Sequence, residues 1–318
     1  MKTKRLKENN KIRKFALTLQ EGDPNQYKSV FCLHPAIGAI GYITNMVSHL
    51  NPAQPVYGIQ SPAFSALRDP FDNMVEMAAY YLKAIRFIQP DGPYILLGHS
   101  SGAYIAYEIA LQLQKKHIET PLLVILDEKA PLPKKETEAS IMDIFKRDDL
   151  FESPEVMYFT AWAVSLAHGK TLTFSLEDLI PLSNDQRYAK VTEFLKQAGF
   201  VPQTATSDIV RTIMKMYANH SKADESYLEK FANPKAIEQY TGKIVLFRCT
   251  EETRYEGTDI TEPPDTSAFA GWDKFCSRPV DVIGVPNSNH ITMTMEPCVK
   301  FLGDSLQSYL DQLAKIQC

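Results

Sequence analysis

The sequence predicts an α/β fold with a mostly parallel central sheet flanked by helices, and three observations support this class. Several short apolar segments rich in Val, Ile and Leu lack polar alternation, which is typical of strands buried on both faces. Segments with helical spacing lie between them, so strand and helix alternate along the chain. The chain has 318 residues, of which 44% are hydrophobic and 23% charged, as expected for a globular protein with a large core.

Six apolar segments are predicted as strands of this sheet, and three helix-like segments are predicted to cover its faces. The strand segments are 29–33, 55–59, 94–98, 122–127, 243–249 and 279–285. The helix-like segments are 73–88, 102–116 and 298–313.

A long insertion interrupts this alternation. Between residues 132 and 238 several segments have helical spacing and none has the pattern of a strand. Because the strand pattern then resumes, the insertion favours a lid over the carboxyl edge of the sheet, where open α/β folds bind ligands. The alternative is a separate helical domain. The predicted domains are a basic tail or linker (1–27), two parts of the core (28–131 and 239–318) and the helical lid (132–238).

Charge and cysteine content exclude several classes of protein. The formal net charge of −4 argues against a nucleic-acid binder, which is usually basic. The cysteines are five in number and form no CxxC pair, so neither a disulfide framework nor a zinc site is expected. The same observation predicts a cytoplasmic location. No uncharged apolar run approaches the roughly 18 residues of a membrane helix.

The sequence Gly98-His99-Ser100-Ser101-Gly102 fits the pattern G-x-S-x-G between a predicted strand and a predicted helix. In this context the pattern indicates a nucleophile presented on a sharp turn, with small residues two positions before and after it. It predicts Ser100 as the nucleophile and the backbone N–H of Ser101 as an oxyanion donor. The side chain of His99 is expected to point away. The alternative is a loop that only caps a helix.

A serine hydroxyl needs a base to react, and His290 is the histidine best placed to serve. It lies in the loop "PNSNHITM" after the last strand, where the chain order serine, acid, histidine predicts the base. Four other histidines lie in or beside helix-like segments and are expected to have surface or core roles. They are His49, His117, His168 and His220.

Two places along the chain could supply the acid of this arrangement. Asp127 ends the strand segment 122–127, whereas Glu251, Glu252 and Asp259 follow the next strand. Chain order alone does not choose between them. The rigid position of Asp127 at a strand end gives it a modest preference.

The segment "FCLHPAIGAIGYITNM" (31–46) passes from the first predicted strand through a turn of small residues into a helix. Backbone N–H groups at such a turn can face the oxygen of a tetrahedral intermediate. The alternative is a connecting loop without a chemical role.

These segments together resemble the thioesterase domains that end polyketide synthases and non-ribosomal peptide synthetases, which are α/β-hydrolase relatives. The resemblance runs from about residue 28 to 313 and is carried by the segments "LHPAIGAIGYITNM", "GPYILLGHSSGAYIAYEIALQL", "LLVILDEKAP" and "GWDKFCSRPVDVIGVPNSNHITMTM". It implies an α/β-hydrolase fold with Ser100 as nucleophile, Asp127 as acid and His290 as base. It also implies oxyanion donors at the backbone of Ile37 and Ser101, with Ala36 a near alternative.

The activity implied by the resemblance is release of an acyl, polyketide or peptidyl chain from a carrier protein, by hydrolysis or cyclisation. The phosphopantetheine arm of the carrier, in trans or from an upstream module, would bring the substrate, and no cofactor or metal is expected in the chain itself. The chain departs from the family pattern at Glu128, where a small or hydroxyl residue is common, and at Ser288-Asn289, where Gly-Asp is common. These departures concern the shape of the pocket.

Other functions share parts of these patterns. A stand-alone editing thioesterase and a carboxylesterase or lipase would keep the same triad, whereas a non-catalytic binding module would be expected to lose triad members. The aromatic residues of the insertion could line an apolar channel, although at helical spacing such residues are more often core. They are Tyr158, Phe159, Trp162 and Tyr217.

Overall fold

A seven-stranded sheet organises the computed structural model, which describes residues 10–133 and 141–316. The strand order is β1-β3-β2-β4-β5-β6-β9, and all neighbours are parallel except the antiparallel pair of β1 and β3. The strands β7 and β8 form a separate short hairpin. The strands are β1 (Ala16–Gln20), β2 (Val30–Leu33), β3 (Val56–Ile59), β4 (Ile95–His99), β5 (Leu122–Leu126), β6 (Lys243–Cys249), β7 (Thr253–Arg254), β8 (Thr261–Glu262) and β9 (Asp281–Val285).

The α-helices of the described residues surround this sheet or lie between β5 and β6. They are α1 (Thr44–Val47), α2 (Met74–Ile88), α3 (Gly102–Gln114), α4 (Ile141–Ile144), α5 (Pro154–Ala167), α6 (Asn184–Gln197), α7 (Asp208–Lys230) and α8 (Cys298–Ile316). Among them, none combines the length and the apolar character that crossing a bilayer would require.

All six predicted strands are present, and so are the three predicted helices that cover the sheet. The central strands β4 and β5 are buried along their whole length, because helices cover both faces. One face packs against α2 and α3, and the other packs against α1 and α8. This two-sided cover explains why the strands are uniformly apolar in sequence.

The prediction of a basic tail or linker over residues 1–27 is wrong for its second half. Ala16–Gln20 forms the edge strand β1, and Phe15 beside it is only 1% exposed. Ala16 packs on one face of the sheet, whereas Leu17 and Leu19 pack on the other. This alternation is expected of a strand, but the segment directly follows a basic run that suggests a solvated tail. Residues 1–9 of the predicted tail lie outside the described residues.

The described residues between β5 and β6 form helices and no strand, as the sequence predicts. The helices α4 to α7 share an apolar cluster of their own, which also contacts Ala36 and Ala63 of the core. The predicted insertion begins at residue 132, and its segment 134–140 lies outside the described residues. The helix α6 was not predicted, although Ser183 and Gln186 form a capping box at its start and so provide a sequence signal.

Candidate active site

The turn between β4 and α3 holds Ser100 in a strained backbone conformation, with φ of +54°. Gly98 and Gly102 make this turn possible. A Cβ atom at Gly98 would lie 2.1 Å from the carbonyl oxygen of Gly102, and one at Gly102 would lie 2.7 Å from the carbonyl oxygen of Leu33. Only glycine allows strand and helix to approach so closely. The sequence pattern G-x-S-x-G therefore describes the steric requirement of this turn.

Asp127 directly follows β5, the strand next to β4 in the sheet, and has a positive φ of +48°. Its Oδ1 accepts a hydrogen bond from the backbone N–H of Cys249 at 2.8 Å. Its Oδ2 accepts one from Nδ1 of His290 at 2.9 Å. Both carboxylate oxygens are thus occupied, and the carboxylate has a fixed orientation.

His290 lies in the loop after β9, at the carboxyl edge of the sheet. Its backbone N–H donates to Oγ1 of Thr253 at 2.9 Å, which fixes the loop beside the hairpin. The other acids that the sequence left open, Glu251, Glu252 and Asp259, are all exposed. The structure therefore joins His290 to Asp127 and to none of these three.

The pairing of His290 with Asp127 changes the protonation of both groups. Burial alone would raise the pKa of Asp127, but the hydrogen bond and the charge of His290 lower it to about 2. Burial alone would lower the pKa of His290, but Asp127 raises it above the ordinary value of 6.5. Because Nδ1 of His290 donates to a carboxylate, Nε2 is the ring atom that can accept a proton.

Ser100 and His290 line the same apolar cavity at the carboxyl edge of the sheet. Within the described residues, no hydrogen bond joins the Ser100 hydroxyl to the imidazole. Such contacts are often long in unliganded enzymes and tighten when substrate binds.

The sequence predicted that the side chain of His99 points away from the site, but it does not. Its ring packs against the ring of His290 with centroids 4.6 Å apart, and its Nε2 donates to the backbone carbonyl of His290 at 2.9 Å. Burial and the charge of His290 lower the pKa of His99 to about 3, so this ring is neutral. His290 lies in a loop 191 residues further along the chain. The sequence around His99 therefore gives no sign of this contact.

The loop between β2 and α1 brings further backbone groups to the site. Ala36 and Ile37 line the same cavity as Ser100. Among the described residues, the backbone N–H groups of Ala36, Ile37 and Ser101 donate to no protein acceptor. Buried backbone N–H groups without partners are rare. The N–H groups of this loop that face the cavity are therefore available to a ligand.

An apolar cavity of about 150 Å³ is lined both by this loop and by helices of the insertion. Phe159 and Tyr217, two of the aromatic residues considered for such a channel, line it together with Ala163. Tyr158 and Trp162 are absent from its described lining and pack in the helical cluster instead. The helices between β5 and β6 thus form one wall of the cavity beside Ser100.

A second cavity of about 950 Å³, lined by both polar and apolar residues, reaches Ser100 from the side of Asp127. Glu128 lines it and accepts a hydrogen bond from the hydroxyl of Tyr104 at 3.0 Å. Glu128 is one of the positions where the chain departs from the family pattern. Ser100 therefore lines both the apolar cavity and this larger cavity of mixed lining.

Comparison with known proteins decides the family. A family model described as the thioesterase domain matches residues 28–305. The chain belongs to the thioesterase domain family. The prediction of a thioesterase, a hydrolase that acts on thioester bonds, is thereby confirmed.

The curated relatives of this thioesterase chain are large synthases. The chondramide synthase of Chondromyces crocatus is 28% identical over 273 residues, which cover 86% of this chain and 6% of the synthase. The polyketide synthase PksR of Bacillus subtilis (strain 168) is 26% identical over 301 residues, which cover 91% of this chain and 11% of PksR. The chain thus spans a small fraction of the length of the curated relatives it matches.

Solved structures of related proteins share the fold of this thioesterase. The Vlm2 thioesterase domain matches with a TM-score of 0.64 and 17% identity, over 92% of this chain and 97% of that domain. A four-domain nonribosomal peptide synthetase, holo-AB3403, matches with a TM-score of 0.70 and 23% identity, over 93% of this chain and 20% of that protein. The prediction of an α/β-hydrolase fold is confirmed.

Proposed function

We propose that this thioesterase releases an acyl, polyketide or peptidyl chain from a phosphopantetheinyl carrier protein through a covalent intermediate on Ser100. The hydrogen bond between Asp127 and His290, beside a serine on a strained turn, is the observation that carries the proposal. This arrangement provides a nucleophile, a base and a group that orients the base. The polyketide synthase among the relatives and the nonribosomal peptide synthetase among the matching structures support the choice of substrate.

The reaction would have two steps. As Oγ of Ser100 attacks the thioester carbonyl, Nε2 of His290 takes the hydroxyl proton, and Asp127 stabilises the imidazolium. The backbone N–H groups of Ile37 and Ser101, with Ala36 as the near alternative, would donate to the oxyanion. The C–S bond then breaks, and His290 returns the proton to the departing thiolate.

In the second step an acceptor would attack the acyl-enzyme. Water would give hydrolysis, and an amine or hydroxyl of the bound chain would give cyclisation. In either case Nε2 of His290 takes the proton of the acceptor and passes it to Oγ of Ser100 as the ester bond breaks. The chain itself would hold no cofactor in this scheme.

The proposed partner is a carrier protein, supplied in trans or by an upstream module. The multidomain nature of the relatives supports this partner. A cytoplasmic location belongs to the same proposal. It fits the four free cysteines of the described residues, at positions 32, 249, 276 and 298, all of which are buried.

Intact-protein mass spectrometry after brief incubation with an acyl-pantetheine thioester tests this function. An adduct of the mass of the acyl group is expected on the wild type and on Ser101→Ala, and none on Ser100→Ala. The Ser101→Ala variant is the matched control, because it removes the neighbouring hydroxyl and keeps the backbone N–H. Asp127→Asn should slow acylation by about 10⁴-fold, whereas Glu128→Gln should acylate at a rate near that of the wild type.

Other outcomes would favour the alternative functions. Turnover of simple esters without release of thiol from any thioester would reject the thioesterase proposal in favour of a carboxylesterase or lipase. Fast hydrolysis of acetyl thioesters with no reaction of longer chains would favour a stand-alone editing thioesterase.

A further inference from the structure

Two buried histidines stack behind the loop that carries the proposed oxyanion donors. His34 follows β2 and is 1% exposed, and His220 lies in α7 and is 2% exposed. Their rings are stacked, with centroids 5.0 Å apart and planes 24° apart. His220 was expected to have a surface or core role. It hydrogen-bonds Ala36, which lies 184 residues away along the chain.

Each of these imidazoles binds one carbonyl of the loop. Nδ1 of His34 donates to the carbonyl of Pro35 at 2.8 Å, and Nδ1 of His220 donates to the carbonyl of Ala36 at 2.7 Å. A carbonyl oxygen only accepts hydrogen bonds, so the proton of each ring is on Nδ1. Nε2 of His34 then accepts from the hydroxyl of Tyr81 at 2.6 Å.

Burial keeps both rings neutral at physiological pH. It lowers the pKa of His34 to about 3, with a further contribution from His220, and lowers the pKa of His220 to about 4. A neutral imidazole has a single N–H, and here that N–H is already engaged by the loop. Nε2 of His220 has no hydrogen-bond partner among the described residues.

The geometry of the peptide bond links these contacts to the oxyanion donors. In a planar trans peptide the C=O and N–H groups point in opposite directions, and neither bond concerned is cis. The carbonyl of Ala36 and the N–H of Ile37 belong to one peptide group, and the carbonyl of Pro35 and the N–H of Ala36 belong to the one before it. A histidine behind each carbonyl therefore directs each N–H toward the opposite side, where the cavity beside Ser100 lies.

We infer that His220 is a positioning residue, which orients the Ala36–Ile37 peptide so that the Ile37 N–H can bind the oxyanion. The inference rests on the proposed role of this loop as an oxyanion hole. His34 holds the preceding peptide in the same way. Because His220 is part of α7, a helix of the insertion sets the orientation of a donor in the core.

A second contact joins α7 to the loop that carries Ala36 and Ile37. Gly38 has a φ of +81°, and a Cβ atom there would lie 2.6 Å from Sδ of Met216 in α7. The loop therefore fits closely against α7 on both sides of Ile37. Packing alone would need only a ring at position 220. An unpartnered ring nitrogen in a buried position is unfavourable, so the hydrogen bond to Ala36 is the contact that specifically requires histidine.

Two substitutions separate the hydrogen bond from the packing. His220→Phe keeps a ring to stack on His34 but loses the donor. His220→Asn loses the ring but places an N–H donor at the position of Nδ1. The probe is a fluorophosphonate, which labels an activated serine without any thioester, and its labelling rate at Ser100 is measured together with the melting temperature. His117→Asn, at an exposed site, is the control.

The inference predicts that His220→Phe labels at least about tenfold more slowly than the wild type, because one oxyanion donor is commonly worth more than this. His220→Asn should label within about threefold of the wild type, although its lost packing gives it the lower melting temperature of the two. If His220→Phe does not fold, His220→Met serves as the variant without a donor. With an acyl-pantetheine substrate the loss should appear in kcat and leave KM unchanged, as expected for a contact made in the transition state.

Labelling of His220→Phe at the wild-type rate, or rates that follow melting temperature in both variants, would overturn the inference in favour of a packing role. Because the probe carries no thioester, these results stay readable if the wild type cleaves esters only. Failure of the wild type to be labelled would instead reject the proposed nucleophile.

Discussion

At the scale of single residues, the site concentrates backbone strain at two strand ends. Ser100 and Asp127 both have φ values in the left-handed region, +54° and +48°. Such conformations cost about 1–3 kcal/mol each in residues other than glycine. Hydrogen bonds from Ser100 N–H to the carbonyl of Leu126, and from Asp127 N–H to the carbonyl of Phe247, hold both residues in place. The sheet thereby presents both side chains at its carboxyl edge.

The protonation of His290 predicts how activity depends on pH. Asp127 raises the pKa of His290 above its ordinary value of 6.5, and a general base must be neutral to accept a proton. We therefore expect kcat/KM to rise with pH and to reach half of its plateau above pH 6.5. In Asp127→Asn the midpoint should fall, because the carboxylate that stabilises the imidazolium is gone. Measured pH profiles with equal midpoints for the two proteins would contradict this assignment.

At the scale of secondary-structure elements, the turn from β4 to α3 depends on glycine. In Gly98→Ala the new methyl group would meet backbone atoms of Gly102 at 2.1 Å, which cannot move aside as a flexible side chain can. We expect the free energy of unfolding to fall by about 3 kcal/mol or more, as in severe overpacking. Denaturant unfolding measures the change.

The matched control for this substitution is Gly284→Ala in β9. There the new methyl group would find Cγ2 of Thr250 at 3.4 Å, an ordinary contact distance. A change within about 1 kcal/mol is expected. Equal effects of the two substitutions would show that the close approach at Gly98 does not limit the turn.

The packing of Phe15 beside the edge strand β1 predicts that the N-terminal part of the chain contributes to stability. Phe15 is 1% exposed and packs against Tyr80 and Tyr81, with ring centroids 5.4 and 6.3 Å away. Phe15→Ala should therefore lower the free energy of unfolding by about 3–5 kcal/mol, the usual cost of removing a buried phenylalanine. Lys14→Ala, at the neighbouring exposed position, should change it by less than about 0.5 kcal/mol. If both variants unfold like the wild type, the packing of Phe15 against Tyr80 and Tyr81 does not stabilise the fold.

At the scale of the whole molecule, the core and the inserted helices together enclose the apolar cavity beside Ser100. An apolar cavity of about 150 Å³ is large enough to bind a group the size of benzene. Ala163 of α5 lines this cavity, so Ala163→Phe should fill it. We expect kcat/KM for octanoyl-pantetheine to fall by about tenfold or more, and that for acetyl-pantetheine to change little.

The same substitution at an exposed site controls for general effects. Val75→Phe on α2, where Val75 is 43% exposed, should leave both substrates unaffected. If Ala163→Phe slows neither substrate, the acyl chain does not bind in the apolar cavity that Ala163 lines.

Features that depend on neighbouring residues were read correctly from the sequence. Mostly apolar segments identified six strands, and the central strands β4 and β5 are apolar because both of their faces are covered. The spacing of Gly98, Ser100 and Gly102 identified the turn because it has a local steric cause. The edge strand β1 was missed, since a basic run beside a short alternating segment indicates a tail when the sheet is not known.

Which distant residues come into contact depends on the packing of the whole chain. Chain order left several acids open and the family resemblance favoured Asp127. The hydrogen bond of His290 with Asp127, 163 residues away, is the direct observation that joins the base to this acid. The contacts of His99 with His290, and of His220 with Ala36, have no signal in the local sequence. The pattern of a strand or a turn depends on adjacent residues, whereas these contacts form only after the sheet and the inserted helices have packed together.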